Sequence, residues 1–251
     1  LQAITSAAGW VAALNAMALI TLLALPAAWA LRGTAAQPGA AAAPRQTTRQ
    51  AVSQALALPS FRLLAAGFFV CGFHVAFLAT HLPTVVASCG LPPEVGAWAL
   101  AMLGLFNIGG SLGIGWVMSR SQGRWPLKSM LALIYATRAV AVLLFVLAPK
   151  STGVVLVFAA VMGATFLSTV PPTAALVARF FGPAHMATLF GLVMVSHQVG
   201  GFLGAYLGGR VYEARGSYDA VWLLDIALAL GAALVHLPIR EEPALLRAKP
   251  A

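Results

Sequence analysis

What most constrains this chain is the length of its apolar runs. Seven of them can be drawn, at Gly9 to Leu31, Phe61 to Ala87, Val95 to Met118, Leu127 to Ala148, Gly153 to Phe180, Ala187 to Gly208 and Asp219 to Pro238. Each is about 20 residues or more, and a helix of that length rising 1.5 Å per residue matches the roughly 30 Å hydrocarbon core of a bilayer. Composition agrees. Of 251 residues, 61% are hydrophobic and 8% charged, with mean hydropathy +0.90, whereas a soluble domain is about a quarter charged. A soluble globule with so few polar groups has nothing to cover its surface with, so the pattern predicts an all-α polytopic membrane protein.

Between the first two runs lies Arg32 to Ser60, rich in Ala, Pro, Gln and Thr and carrying Arg45 and Arg49, which reads as a flexible linker. The other connections are short, so consecutive spans are antiparallel. With the linker assigned to the cytoplasm, its side of the membrane carries eleven Lys and Arg and the opposite side three, leaving Arg138 inside a span. That asymmetry follows the positive-inside rule and predicts a multi-pass inner-membrane protein whose linker and carboxy terminus are cytoplasmic. The net charge of +9 and pI near 10.6 do not point to nucleic acid, because the basic residues are scattered singly between apolar runs. Cys71 and Cys89 have no metal-ligand spacing and read as small apolar fillers.

One helix, a long linker and six closely connected helices make a lopsided plan for a complete protein, and the chain starts at Leu1 rather than Met. The expectation is a fragment. Residues 1–31 correspond to helix six, 32–60 to the central cytoplasmic loop, and 61–251 to a six-helix domain with a short tail, in a twelve-helix carrier built of two halves. Its partners are then membrane lipid, a small-molecule substrate, protons and the amino-terminal half of the same polypeptide.

Two stretches sharpen this. Gly115-Trp116-Val117-Met118-Ser119-Arg120-Ser121-Gln122-Gly123-Arg124 resembles the cytoplasmic loop signature of the major facilitator superfamily, roughly Gly-x-x-x-Asp-Arg-x-Gly-Arg, with Ser119 in place of the acid. Ser196-His197-Gln198, followed by Gly200, Gly201, Gly204, Gly208 and Gly209 and then Gly216-Ser217-Tyr218-Asp219, resembles helix eleven and the next loop of bacterial carriers allied to the monocarboxylate-transporter group. The resemblance implies the second half of that twelve-helix fold and makes the Gly115–Arg124 loop a gating element. Members of the group carry an Asp and an Arg four residues apart in helix eight. The matching positions here are Asn107 and Ser111, so any coupling must use other residues or another ion.

The candidates for the substrate or proton pathway are His74, His197, Gln198, Asn107, Ser111, Thr173 and Arg138. His74 lies thirteen residues into its run and His197 ten into its own, which places both near the midplane, with Gln198 beside the second. Intramembrane ionisable groups default to functional hypotheses, and histidine titrates nearest neutral pH; the plainer reading is a neutral ring bonded to the next helix. Arg138, eleven residues into its run, must meet an anion, a carbonyl or water. A substrate carboxylate and a structural pairing, for which Asp225 is one counter-charge, both stand. Pro171 and Pro172 must bend or break their span, as a static kink or a pathway hinge, with Thr169 and Thr173 adjacent to bond the freed carbonyls. Gly200, Gly204 and Gly208 form a small-residue stripe for close helix packing or for a moving interface, and Gly109, Ser111, Gly113 and Gly115 repeat the pattern.

No GxSxG, Walker loop, HExxH or intramembrane carboxylate pair is present, so the sequence predicts no enzyme, cofactor or metal site. The function expected is secondary transport of a small solute by alternating access, as a proton-coupled, monocarboxylate-like organic-anion carrier or as a drug or metabolite efflux pump. A seven-helix receptor or regulatory membrane protein is the alternative from another class; it calls for an initiating Met. On the carrier reading, His74→Ala and His197→Ala are expected to abolish the pH dependence of transport by the intact carrier, and unchanged proton coupling in both variants would remove them from the mechanism.

Overall fold

A computed structural model describes residues 2–23, 25–26 and 47–243, and within them every regular element is a helix. The chain divides into two units, residues 1–45 and 46–251. In the first unit, α1 (Gln2–Leu22) is interrupted at Gly9, whose φ of 80° and ψ of 169° are not helical. Its apolar part, Ala7–Leu22, is shorter than a membrane crossing, and the end of the first predicted span, at 27–31, lies outside the described residues. So does most of the segment read as a linker, residues 32–46.

The second unit opens with α2 (Thr48–Ala57). Thr47 Oγ1 accepts from Gln50 N at 3.3 Å, and Gln50 Oε1 accepts from Thr47 N at 3.0 Å, a reciprocal capping box that satisfies two otherwise orphaned donors. Ala51 and Ala55 are buried against the bundle. The flexible-linker reading does not hold for these ten residues, whose Thr-x-x-Gln start is a helix signal.

Six segments follow that are long and apolar enough to cross a membrane. They are α3 (Pro59–Ser88), α4 (Pro93–Ser121), α5 (Leu127–Leu147), the interrupted span α6 (Thr152–Thr165) and α7 (Val170–Phe181), α8 (Met186–Arg215) and α9 (Asp219–His236). They match the second to seventh predicted runs. The unit is the six-helix all-α membrane bundle that the resemblance implied.

Helix α3 lies at the middle of the bundle and packs on α8, α9 and α4, while α4 packs on α6 and α5 on α9. Helices α3 and α8 run parallel and very close, with Ser196 Oγ donating to Ala65 O at 2.8 Å. Glycine permits the approach. A Cβ on Gly200 would fall 1.9 Å from Phe69 O, one on Gly204 2.3 Å from Phe73 O, and one on Gly72 1.8 Å from His197 O. Gly200 and Gly204 therefore form a backbone-to-backbone seam of the kind lipid-embedded helices need when lipid supplies no hydrophobic drive, and Gly208 gives room to the His81 and Phe77 side chains. The second stripe behaves otherwise. Gly109, Gly113 and Gly115 face open space, and it is Gly110 that packs, against the Ala164 backbone.

Two apolar layers fill the interior. Phe73, Phe77, Phe145, Phe158 and Trp222 belong to one, and Phe61, Phe68, Tyr135, Leu176 and Phe180 to the other. The layers meet near residues 71–74 of α3, close to the buried His74, Arg138, Thr169 and Asp225.

Gly204→Val is expected to lower the detergent melting temperature by the equivalent of about 1–3 kcal/mol, the usual cost of overpacking. Gly201→Ala, whose Cβ has its nearest neighbour at 3.6 Å, should melt with the parent. Equal melting of both variants in a thermal-shift assay would contradict the seam.

Candidate functional site

The span predicted to bend at Pro171 and Pro172 is broken over Phe166 to Thr169, and both prolines sit in the first turn of α7. Proline is tolerated there because the first N–H groups of a helix have no intrahelical acceptor in any case. The break disturbs the backbone ladder upstream. Val170 N donates to Leu167 O at 2.9 Å, a tighter turn than the α-helical bond to Phe166 O. The carbonyls of Thr165 and Phe166 are thereby released, as is the N–H of Leu167.

Three other helices supply the missing partners. Arg138, on α5, donates from Nη2 to Thr165 O and, at 2.7 Å, to Phe166 O. Asn107, on α4, accepts from Leu167 N at 3.0 Å. Phe166 O and Leu167 N belong to one peptide group, so that group is gripped at both ends. From α3, Cys71 Sγ lies 3.7 Å from Phe166 O and 3.1 Å from Thr169 Oγ1. Within the break, Ser168 Oγ donates to Ala164 O at 2.6 Å. Thr173, expected to help, is fully buried with no partner for its hydroxyl; the larger reach of the guanidinium takes the carbonyls instead.

Arg138 is also the centre of charge. Its side chain is 1% exposed, as are those of His74 and Asp225. His74 Nε2 lies 3.2 Å from Asp225 Oδ1 and 3.3 Å from the Asp225 carbonyl. A carbonyl can only accept, so Nε2 carries the hydrogen and Nδ1 is the lone-pair nitrogen. Asp225 is within the electrostatic reach of Arg138 but not in direct ion-pair contact with it. The guanidinium packs 5.2 Å above the Tyr135 ring, whose hydroxyl donates to Gly67 O at 2.7 Å and whose other neighbour is the stacked His236 ring. Sequence reading missed Cys71 as a partner of the break, and it left open whether Asp225 stands beside Arg138.

His197 is buried against Phe68, with Nδ1 3.1 Å from Gln198 Oε1. Gln198 itself is exposed on the outer face of α8. Ser111 Oγ reaches back to Asn107 Oδ1 at 3.4 Å. The structure thus gathers Arg138, His74, Asn107 and His197 around α3 and the break, and leaves Gln198 on an open helix face. His81, two turns beyond His74, donates from Nε2 to Ala205 O at 2.8 Å and accepts from the Tyr218 hydroxyl, tying α3 to α8 and to the start of α9.

The loop signature forms the end of α4 and the turn after it. Gln122 and Gly123 adopt positive φ values of 47° and 81°, the left-handed geometry that glycine accommodates freely. Ser119 Oγ donates back to Trp116 O at 2.8 Å, and the Arg120 guanidinium lies 5.4 Å from the centroid of the Trp116 ring. Among the described residues neither Arg120 nor Arg124 enters an ion pair, and Gly115 meets open space. The ends of the bundle are tied elsewhere: Glu241 binds Arg179 at 2.5 Å and accepts from Lys128 N at 2.8 Å. Among the described residues no cluster of three His, Cys, Asp or Glu side chains is placed to hold a metal ion.

Against known proteins, residues 122–251 match the family described as Major Facilitator Superfamily. The chain is 26% identical over 173 residues to the uncharacterized MFS-type transporter YcxA of Bacillus subtilis (strain 168), covering 67% of this chain and 40% of that protein. It is 28% identical over 178 residues to monocarboxylate transporter 13 of Rattus norvegicus, covering 70% of this chain and 39% of the transporter. The bovine form of that transporter is 26% identical over the same length. The chain therefore spans about two fifths of the length of the curated relatives it matches.

Arg138→Leu is expected to destabilise the protein by about 3–5 kcal/mol, since it leaves Asp225 as a buried carboxylate without a counter-charge as well as two bare carbonyls. Asn107→Leu removes one acceptor and should cost about 0.5–2 kcal/mol. Chemical denaturation of both variants in detergent checks the order; equal losses would mean that the charge is not what Arg138 contributes.

Proposed function

Because the chain belongs to the Major Facilitator Superfamily, we propose that it acts within a secondary transporter that carries a small organic anion together with protons by alternating access. The six-helix bundle supplies one half of the substrate pathway, and the remainder of the same polypeptide supplies the other. The substrate site lies near the bilayer midplane, where the halves meet.

The observation that carries this reading is the buried fixed charge of Arg138 at mid-span, beside a broken helix and two histidines, in a chain similar to a monocarboxylate transporter over 178 residues. Intramembrane ionisable groups are rare and mark substrate or ion pathways. Helices α4 and α8 are the least buried of the spans, with 6% and 22% of their most apolar windows enclosed, and they carry Asn107, Ser111 and Gln198. Open, mostly apolar faces with a few polar groups suit the lining of a cavity between two halves. The positive-inside asymmetry supports an inner-membrane location with the segment before α3 and the tail after α9 in the cytoplasm.

A second reading, efflux of amphipathic compounds, draws on those same faces. Leu105, Ile108 and Leu112 on α4 and Val195, Val199 and Phe202 on α8 are exposed, and neither Asn107 nor Ser111 carries charge.

Uptake by the full-length protein in proteoliposomes, with an imposed pH gradient and a panel of carboxylates, sugars, amino acids and lipophilic cations, separates the two. Carboxylate uptake scaled by the gradient is the expected result. Transport confined to lipophilic cations would favour efflux and leave the anion reading without support.

A further inference from the structure

We propose that Asp225 and His74 form a proton-binding site in the membrane interior, with Arg138 as its fixed counter-charge. The role of this site in coupling rests on the carrier reading above; the binding itself does not.

Asp225 is the one carboxylate among the described residues that is buried. The others stand at helix ends or beyond them: Glu94 and Asp219 in first turns, Glu213 paired with Arg210 near the end of α8, and Glu241 and Glu242 after α9. The atoms around Asp225 are mismatched in a specific way. Neither carboxylate oxygen accepts a well-aligned hydrogen bond, Oδ1 having only its 3.2 Å contact with His74 Nε2, and His74 Nδ1, Arg138 Nε and Arg138 Nη1 are likewise buried without a hydrogen-bond partner. A proton on Asp225 turns one of those unpartnered oxygens into a hydroxyl and removes a buried negative charge.

The titratable and charged groups on every element packed around the pair bear on this. From α3 come His74 itself and Cys71, from α5 Arg138 and Tyr135, from α8 His197, and from α9 His236 below. The broken span brings the neutral hydroxyls of Thr165, Ser168 and Thr169, while its one ionisable side chain, Arg179, is paired with Glu241 at the end of α7. Beside the pair, only Arg138 holds a permanent charge. With Asp225 ionised and His74 neutral, the cluster sums to zero; one added proton makes it +1. Hydrocarbon opposes that charge, so the protonated state calls for an anion to enter or for the bundle to open. Proton binding is thereby linked to substrate charge or to conformation, with no acid at position 107 or 111 of α4.

The test needs no substrate. The purified full-length protein in lipid vesicles is examined by infrared difference spectroscopy between neutral and acid pH. The expected result is a carbonyl-stretch band of a protonated carboxylic acid that is missing in Asp225→Asn and whose midpoint moves by about one pH unit in His74→Gln. A band that survives unchanged in a folded Asp225→Asn variant overturns the proposal. If that variant does not fold, an unmoved midpoint in His74→Gln does so. Because no transported compound is present, a failed uptake panel and an absent band are separate results: the first removes the carrier reading, the second removes this site.

Discussion

Hydrocarbon supplies no hydrogen bond, so a helix can break at mid-membrane only where neighbouring chain takes over its backbone partners. The interruption between α6 and α7 obeys that rule with three separate helices. Arg138 covers the carbonyls, Asn107 takes the free N–H, and Cys71 lies against both the Phe166 carbonyl and the Thr169 hydroxyl. Each of these side chains fixes the distance from its own helix to the break. The arrangement of α3, α4 and α5 about the interrupted span thus follows from one backbone requirement, and the glycine seam that draws α8 against α3 brings His197 to the same level.

The electrostatic consequence is that a permanent cation stands in the protein interior. A buried guanidinium is tolerated when its donors are used and its charge is opposed. Here one nitrogen is committed to the break, two have no partner, and the opposing carboxylate lies beyond direct contact. The cluster is incompletely satisfied, unlike the His81 and Tyr135 contacts, where each hydroxyl or ring nitrogen has found a partner. Partial satisfaction between two well-packed apolar layers is the arrangement expected of a site that changes state, since a fully paired network would be fixed in one.

Legibility in the sequence followed the range of the interaction. Runs of twenty apolar residues are local, and six of the seven reappear as membrane-length helices. The break was legible because two prolines announce it, and the Gly200–Gly208 seam because its period of four lies on one helix face. The α2 helix had a capping signal that composition outweighed. What the sequence did not disclose was which side chains from distant helices complete the break, since nothing local ties Cys71 or Arg138 to residue 166, a separation of 95 and 28 positions. The same holds for Asp225 and His74, which are 151 residues apart. The second glycine stripe looked like the first, yet which face of α4 packs is decided by α6 and not by α4 itself.

The missing charges in α4 can be understood on the same terms. Asn107 stands where the monocarboxylate group, by resemblance, carries an acid, and its amide oxygen receives the N–H of the very peptide whose carbonyl Arg138 holds. A carboxylate at this position could accept that bond equally well. It would also bring a second negative charge to the far side of one peptide group from Arg138, where it would compete with Asp225 for the guanidinium. One cation cannot neutralise two carboxylates in a low-dielectric interior, and one of them would have to be protonated or repelled. With a neutral amide at 107, the backbone bond is kept and Asp225 remains the single buried carboxylate within electrostatic reach of Arg138.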